Sequence, residues 1–126
     1  MRNSELYICT RCGNLADLLH HSDVPMVCCG QRMERVSLGD REEGHEKHLP
    51  VVSRRGDTVT VTVGSDRHPM TDGHGIRWVY LKTDVGGQYK HLPENGAPEV
   101  SFALRDERPT AVYAYCNLHG LWKKDM

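Results

Sequence analysis

The sequence predicts an all-β protein in two parts, a small module folded around a metal and a β-sandwich that follows it. Three observations carry that prediction. Four of the five cysteines fall within the first 29 residues, as Cys9-Thr10-Arg11-Cys12 and the adjacent pair Cys28-Cys29. From Asp57 to Cys116, short runs rich in β-branched and aromatic residues recur between glycine- and proline-bearing turns, with no convincing helical stretch. Finally, Cys116-Asn117-Leu118-His119 sets a thiol and an imidazole three residues apart, directly after the apolar run Ala111-Val112-Tyr113-Ala114-Tyr115. A soft sulfur and a borderline nitrogen at that spacing can bind one transition metal from the end of a strand.

Composition bounds the function. At 126 residues, the chain is long enough for one domain with a small appendage. Sixteen basic residues against 17 acidic ones, with no block of either sign, argue against nucleic acid or a membrane surface as partner. No apolar run reaches the length of a signal-peptide core or a membrane span, so a cytoplasmic protein is expected. An odd number of cysteines in this grouping reads as metal binding rather than a disulfide framework.

Taken in order, residues 5–9 read as a short strand, the turn Cys9-Thr10-Arg11-Cys12-Gly13 follows, and residues 14–19 read as the return strand. Gly13 suits a tight turn that faces two thiolates toward one ion. Cys28 and Cys29 supply two more sulfurs, although one peptide unit between ligands strains the tetrahedron. A module of residues 1–36 is too small for an adequate core, so the metal contributes much of its folding energy. Spacing alone leaves structural zinc and redox iron both open, since each accepts four sulfurs. Residues 37–45, polar with two glycines, read as a linker.

The second domain, residues 46–126, shows the cleanest strand signal at Asp57–Val63, where Thr and Val alternate. Residues 76–82, 88–92, 99–105 and 110–116 complete the strand series, with turns at Gly86-Gly87, Pro93-Glu94-Asn95-Gly96 and Arg108-Pro109. Partners for Cys116 and His119 must come from upstream. The candidates are His48 in Glu46-Lys47-His48-Leu49-Pro50, His68 before Pro69, and His74. Each alone is as compatible with a surface histidine as with a ligand, and Cys116 alone with a buried structural thiol. His20, His21, His45 and His91 are expected at the surface. A ferrous ion with one thiolate and neutral imidazoles carries a formal charge of about +1, against about −2 with four thiolates. Lys47 adds positive charge beside His48. Such a centre attracts small anions, and five ligands leave an octahedral position open.

Several segments together resemble the superoxide reductases of the desulfoferrodoxin type. These are Glu46-Lys47-His48-Leu49-Pro50-Val51, His68-Pro69-Met70, His74-x-Ile76-x-Trp78 and Cys116-Asn117-x-His119-Gly120-x-Trp122. In the first module, Cys9-x-x-Cys12-Gly13-Asn14 and Val27-Cys28-Cys29 match its desulforedoxin-like part. The resemblance implies a rubredoxin-type, desulforedoxin-like metal domain followed by an immunoglobulin-like β-sandwich. It implies a square-pyramidal iron with His48, His68, His74 and His119 equatorial and Cys116 axial, and a second iron, with zinc as alternative, on Cys9, Cys12, Cys28 and Cys29. Lys47 would draw in superoxide and stabilise the peroxide-level species, and Glu46 would ligate the oxidised iron. The implied reaction is one-electron reduction of superoxide to hydrogen peroxide without release of dioxygen, with rubredoxin or a similar carrier as donor, in a cytoplasmic homodimer. A non-catalytic electron carrier or redox sensor and a zinc-stabilised interaction module are the competing readings. One departure from the family pattern is Gly75, where a bulkier residue is expected and whose absence would loosen the His74 loop.

Overall fold

The computed structural model describes residues 6–36, 49–64, 68–71 and 73–126. The chain forms two compact units, Met1–Gly39 and Asp40–Met126. Every element among the described residues is a β-strand. Among the described residues, no helix is long and apolar enough to cross a membrane.

In the first unit, β1 (Leu6–Ile8) is the middle strand, paired antiparallel with β2 (Leu15–Asp17) and β5 (Glu34–Arg35). The return strand expected over 14–19 is thus only three residues long. A second ribbon pairs β3 (Val27–Cys28) with β4 (Gln31–Arg32) through the turn at Cys29-Gly30. Leu6, Cys9 and Met33 are the buried apolar side chains described in this unit. At roughly 1.5–3 kcal/mol for a fully buried aliphatic side chain, that core does not offset the cost of ordering some thirty residues.

The second unit stacks two antiparallel sheets. One orders β10 (Glu99–Ala103), β7 (Thr58–Val63) and β6 (Pro50–Arg55). The other orders β12 (Gly120–Asp125), β11 (Pro109–Cys116), β8 (Ile76–Thr83) and β9 (Gly87–His91). Alternation in β7 sends Val59, Val61 and Val63 into the core with no exposed surface. On the other face, Thr60 bonds Ser101 at 2.9 Å and Thr62 bonds Glu99 at 3.3 Å, knitting β7 to β10. Phe102 from β10 meets Val79 and Leu81 from β8 and Val112, Ala114 and Cys116 from β11 in the same cluster. Two strands of this unit escape the sequence pattern, β6 and β12.

One irregularity decides where the site lies. Tyr115 pairs with Trp78, but the next pair is Cys116 with Ile76, so β8 carries one extra residue, Arg77. This bulge flips the side-chain parity of β8. Val79 and Leu81 face the core, and Ile76, an odd number of residues away, faces it too. The apolar end of β8 therefore packs beside Cys116 while Trp78 stacks on Tyr115 across the sheet, with ring centroids 5.6 Å apart and planes 4° from parallel.

Candidate metal centres

In the first unit, the ligand sulfurs of Cys9, Cys12, Cys28 and Cys29 all lie within 4.8 Å of one another. The knuckle that presents the first two is closed by Gly13 N–H donating to the Cys9 carbonyl at 2.8 Å and Cys9 N–H donating to the Asn14 carbonyl at 2.9 Å. Gly13 takes φ +84°, a left-handed conformation that costs glycine nothing. The adjacent pair is solved differently. Cys29 itself adopts φ +54°, followed by Gly30 at +73°, and this double reversal turns both sulfurs toward the same point. For a residue with a Cβ, that conformation costs about 1–2 kcal/mol.

The geometry fits a tetrahedral ion. Metal–sulfur bonds of about 2.3 Å imply sulfur–sulfur edges near ~3.8 Å. Cys12 and Cys28 are separated by 3.6 Å, and Cys28 and Cys29 by 4.0 Å. Asn14 donates its backbone N–H to Cys12 Sγ at 3.5 Å and its side-chain amide to Cys28 Sγ at 3.6 Å, which suits sulfurs carrying negative charge. Cys9, Cys28 and Cys29 are unequal as acids. The backbone N–H of Cys12 lowers Cys9 to about 6. Thiol hydrogen bonding to Cys12 pushes Cys28 up and Cys29 up to about 12. Cys9 therefore ionises more readily than an ordinary thiol, and Cys28 and Cys29 less readily.

In the second unit, donor atoms of His68, His74, Cys116 and His119 also lie within 4.8 Å of one another. Cys116 is the last residue of β11, and the turn 117–119 folds His119 back so that its Nδ1 stands 3.6 Å from Cys116 Sγ. Gly120, at φ +82°, then starts β12. His68 follows β7, its N–H donating to the Val63 carbonyl at 3.3 Å. His74 lies at the far end of the same loop. The His68 and His74 rings meet edge to face with centroids 4.7 Å apart, and the His74 and His119 rings at 5.0 Å. Cys116 is fully buried, His68 is 2 % exposed, His74 is half-buried and His119 is exposed, so the cluster opens from core to surface.

Tautomer settles which nitrogen of His68 is available. Its Nδ1 is 2.7 Å from the Pro69 carbonyl, which can only accept, so Nδ1 carries the proton and Nε2 the lone pair. Three imidazoles and one thiol at this spacing form a donor set suited to a first-row transition metal.

The sequence-predicted residues divide accordingly. Nine metal ligands were expected, and the structure brings eight of them together in two clusters. The ninth, His48, lies outside the described residues, as do Glu46, Lys47 and His45. Leu49, directly after His48, accepts a hydrogen bond from Gly64 N–H at 3.0 Å, near the start of the His68 loop. His20 and His91 are exposed as expected. His21 is not. It is half-buried, with Nε2 2.8 Å from the Tyr7 hydroxyl, while its Nδ1 accepts the Asp23 N–H at 2.9 Å. The looseness expected at Gly75 is also absent. Gly75 is buried, and both its N–H and its carbonyl are bonded to Asn117.

A family model described as Desulfoferrodoxin matches residues 40–125, and one described as Desulfoferrodoxin, N-terminal domain, matches residues 1–36. The chain is 40% identical over 119 residues to a desulfoferrodoxin homolog of Archaeoglobus fulgidus, covering 94% of each. It is 39% identical over 121 residues to the desulfoferrodoxin of Nitratidesulfovibrio vulgaris, covering 96% of this chain and 95% of that one. Among solved structures, the superoxide reductase from Treponema pallidum superposes with a TM-score of 0.77 at 39% identity, covering 99% of this chain and all of the other. A superoxide reductase from Giardia intestinalis gives a TM-score of 0.56 at 30% identity, over 64% of this chain and 97% of that one.

Proposed function

The chain belongs to the desulfoferrodoxin family and is an oxidoreductase, and from that premise we propose that it reduces superoxide to hydrogen peroxide. Each turnover consumes one superoxide, one electron and two protons, and releases no dioxygen. The observation that carries this reading is the convergence of His68, His74, His119 and Cys116 on one point at the rim of the β-sandwich.

Iron bound there supplies the one-electron reducing power. The residues around it do the rest. His68 is held in the Nε2-ligating tautomer by Pro69. Cys116, fully buried, would hold the metal from the core side, so that exchange with solvent is left to the His119 side. His48 would supply the fourth imidazole, Lys47 the cation that attracts superoxide, and Glu46 a carboxylate that could ligate the oxidised iron. Residues 1–36 form the module whose four sulfurs hold a second iron, residues 37–45 link it to residues 46–126, and a small carrier such as rubredoxin restores the electron. The protein works as a homodimer in the cytoplasm.

The test is to give superoxide to the reduced, iron-loaded protein while following peroxide, dioxygen and the visible spectrum. One peroxide per superoxide, no dioxygen, and a thiolate-to-ferric band that grows as superoxide disappears is the expected outcome. Dioxygen at half the superoxide consumed would mean dismutation. Zinc in both clusters would leave a structural module.

A further inference from the structure

Resting on the reading of the His/Cys cluster as an iron site, we propose that Asn117 is a positioning residue that fixes the His74 ligand against the turn bearing Cys116 and His119. His74 sits between two glycines, neither of which has a side chain to pack. The loop shapes itself by internal bonds. Thr71 N–H donates to the His74 carbonyl at 2.7 Å, His74 N–H donates to Thr71 Oγ1 at 3.1 Å, and Ile76 N–H points to Met70 Sδ at 3.2 Å. These bonds give the loop its form, and none of them refers it to Cys116.

Asn117 makes that connection. Its Oδ1 accepts Gly75 N–H at 2.9 Å and its Nδ2 donates to the Gly73 carbonyl at 3.1 Å, so one planar amide holds the residue on each side of His74. Its backbone N–H donates to the Gly75 carbonyl at 3.3 Å. The residue doing this stands directly after Cys116 and two before His119. A donor and an acceptor are both required, which asparagine supplies and aspartate, leucine or alanine do not. Two ligand segments more than forty residues apart are thereby held in one frame, as partners around a metal's ligands commonly do.

Two variants of the 126-residue chain, N117A and N117D, test this against wild type. In metal-free protein, amide exchange of Gly75 should rise about tenfold in N117A. In N117D it should stay near wild type, because a carboxylate still accepts that N–H. With iron loaded, N117A and N117D should both show a shifted thiolate-to-ferric band and lose that iron to a chelator about tenfold faster. The four-sulfur iron in the other unit should keep its spectrum and serve as internal reference. N117D, which keeps the volume and one bond, answers the case in which N117A fails to fold. If both variants match wild type in band and in chelation rate, the proposal is overturned. Wild-type protein holding no iron at this cluster would instead overturn the functional reading, and the proposal with it.

Discussion

His68 donates its Nδ1 proton to the carbonyl of its own neighbour, Pro69, across 2.7 Å. The bond leaves one nitrogen facing the cluster in a ring that is 2 % exposed. A His68→Gln protein should therefore lose the iron of the second unit and keep that of the first. Metal analysis should fall from two irons per chain to one, with the four-sulfur spectrum unchanged. Two irons in the variant would remove His68 from the ligand set.

Charge, rather than contact, is the role assigned to Lys47. Lys47→Ala should slow the encounter with superoxide several-fold at low salt and flatten its dependence on ionic strength. Pulse radiolysis at two salt concentrations measures both. Identical rates at low salt would sink the assignment.

Protons compete with metal at the four-cysteine site. Cys28 and Cys29 titrate above the ordinary thiol value, Cys29 up to about 12, so both are thiols at neutral pH and must ionise to bind. Binding of a divalent ion at pH 7.5 should release at least about two protons, and affinity should fall about a hundredfold for each unit that the pH is lowered. An indicator dye in weak buffer counts the protons. Release of fewer than one would contradict the upward shifts of Cys28 and Cys29.

Removing the metal should divide the molecule's stability. Among its described residues the first unit buries three apolar side chains and would rest largely on its ion, whereas the second has a continuous core. Chelation should abolish amide protection from Leu6 to Arg35 and leave it intact in β7, β8 and β11. Phe102→Ala, which empties the centre of that core, should cost the second unit about 3–5 kcal/mol in denaturant unfolding.

Much of this was legible in the sequence, for reasons that differ by element. The Thr-Val alternation of β7 states its own burial, and the three-residue spacing of Cys116 and His119 survives into a 3.6 Å contact. Gly120-Leu121-Trp122-Lys123-Lys124-Asp125 lies outside the strand series read from the sequence, yet it is a strand because β11 pairs with it along its whole length. Pro50–Arg55 likewise becomes β6 by pairing with β7, its three-residue Ser-Arg-Arg end giving no pattern of its own. The strain expected of adjacent cysteines is real, but its form, a left-handed Cys29, is a backbone property with no signature in residue type. Asn117 was visible as part of a motif. What it holds was not, because Gly73 and Gly75 lie more than forty residues upstream.

The extra residue at Arg77 gives the site an arithmetic as well as a chemistry. Trp78 and Ile76 point to opposite sides of the sheet only because one residue between them is uncounted by the partner strand. Deleting Arg77 would restore a regular ladder and make β8 locally a better strand. Ile76 would stay opposite Cys116 and in the core, because the partner strand never counted the lost residue. What would go is the local bend that a bulge puts into its strand, just after the His74 loop. Along this stretch, a change of length should be felt in the direction the strand takes from the site, and not in which face its side chains occupy.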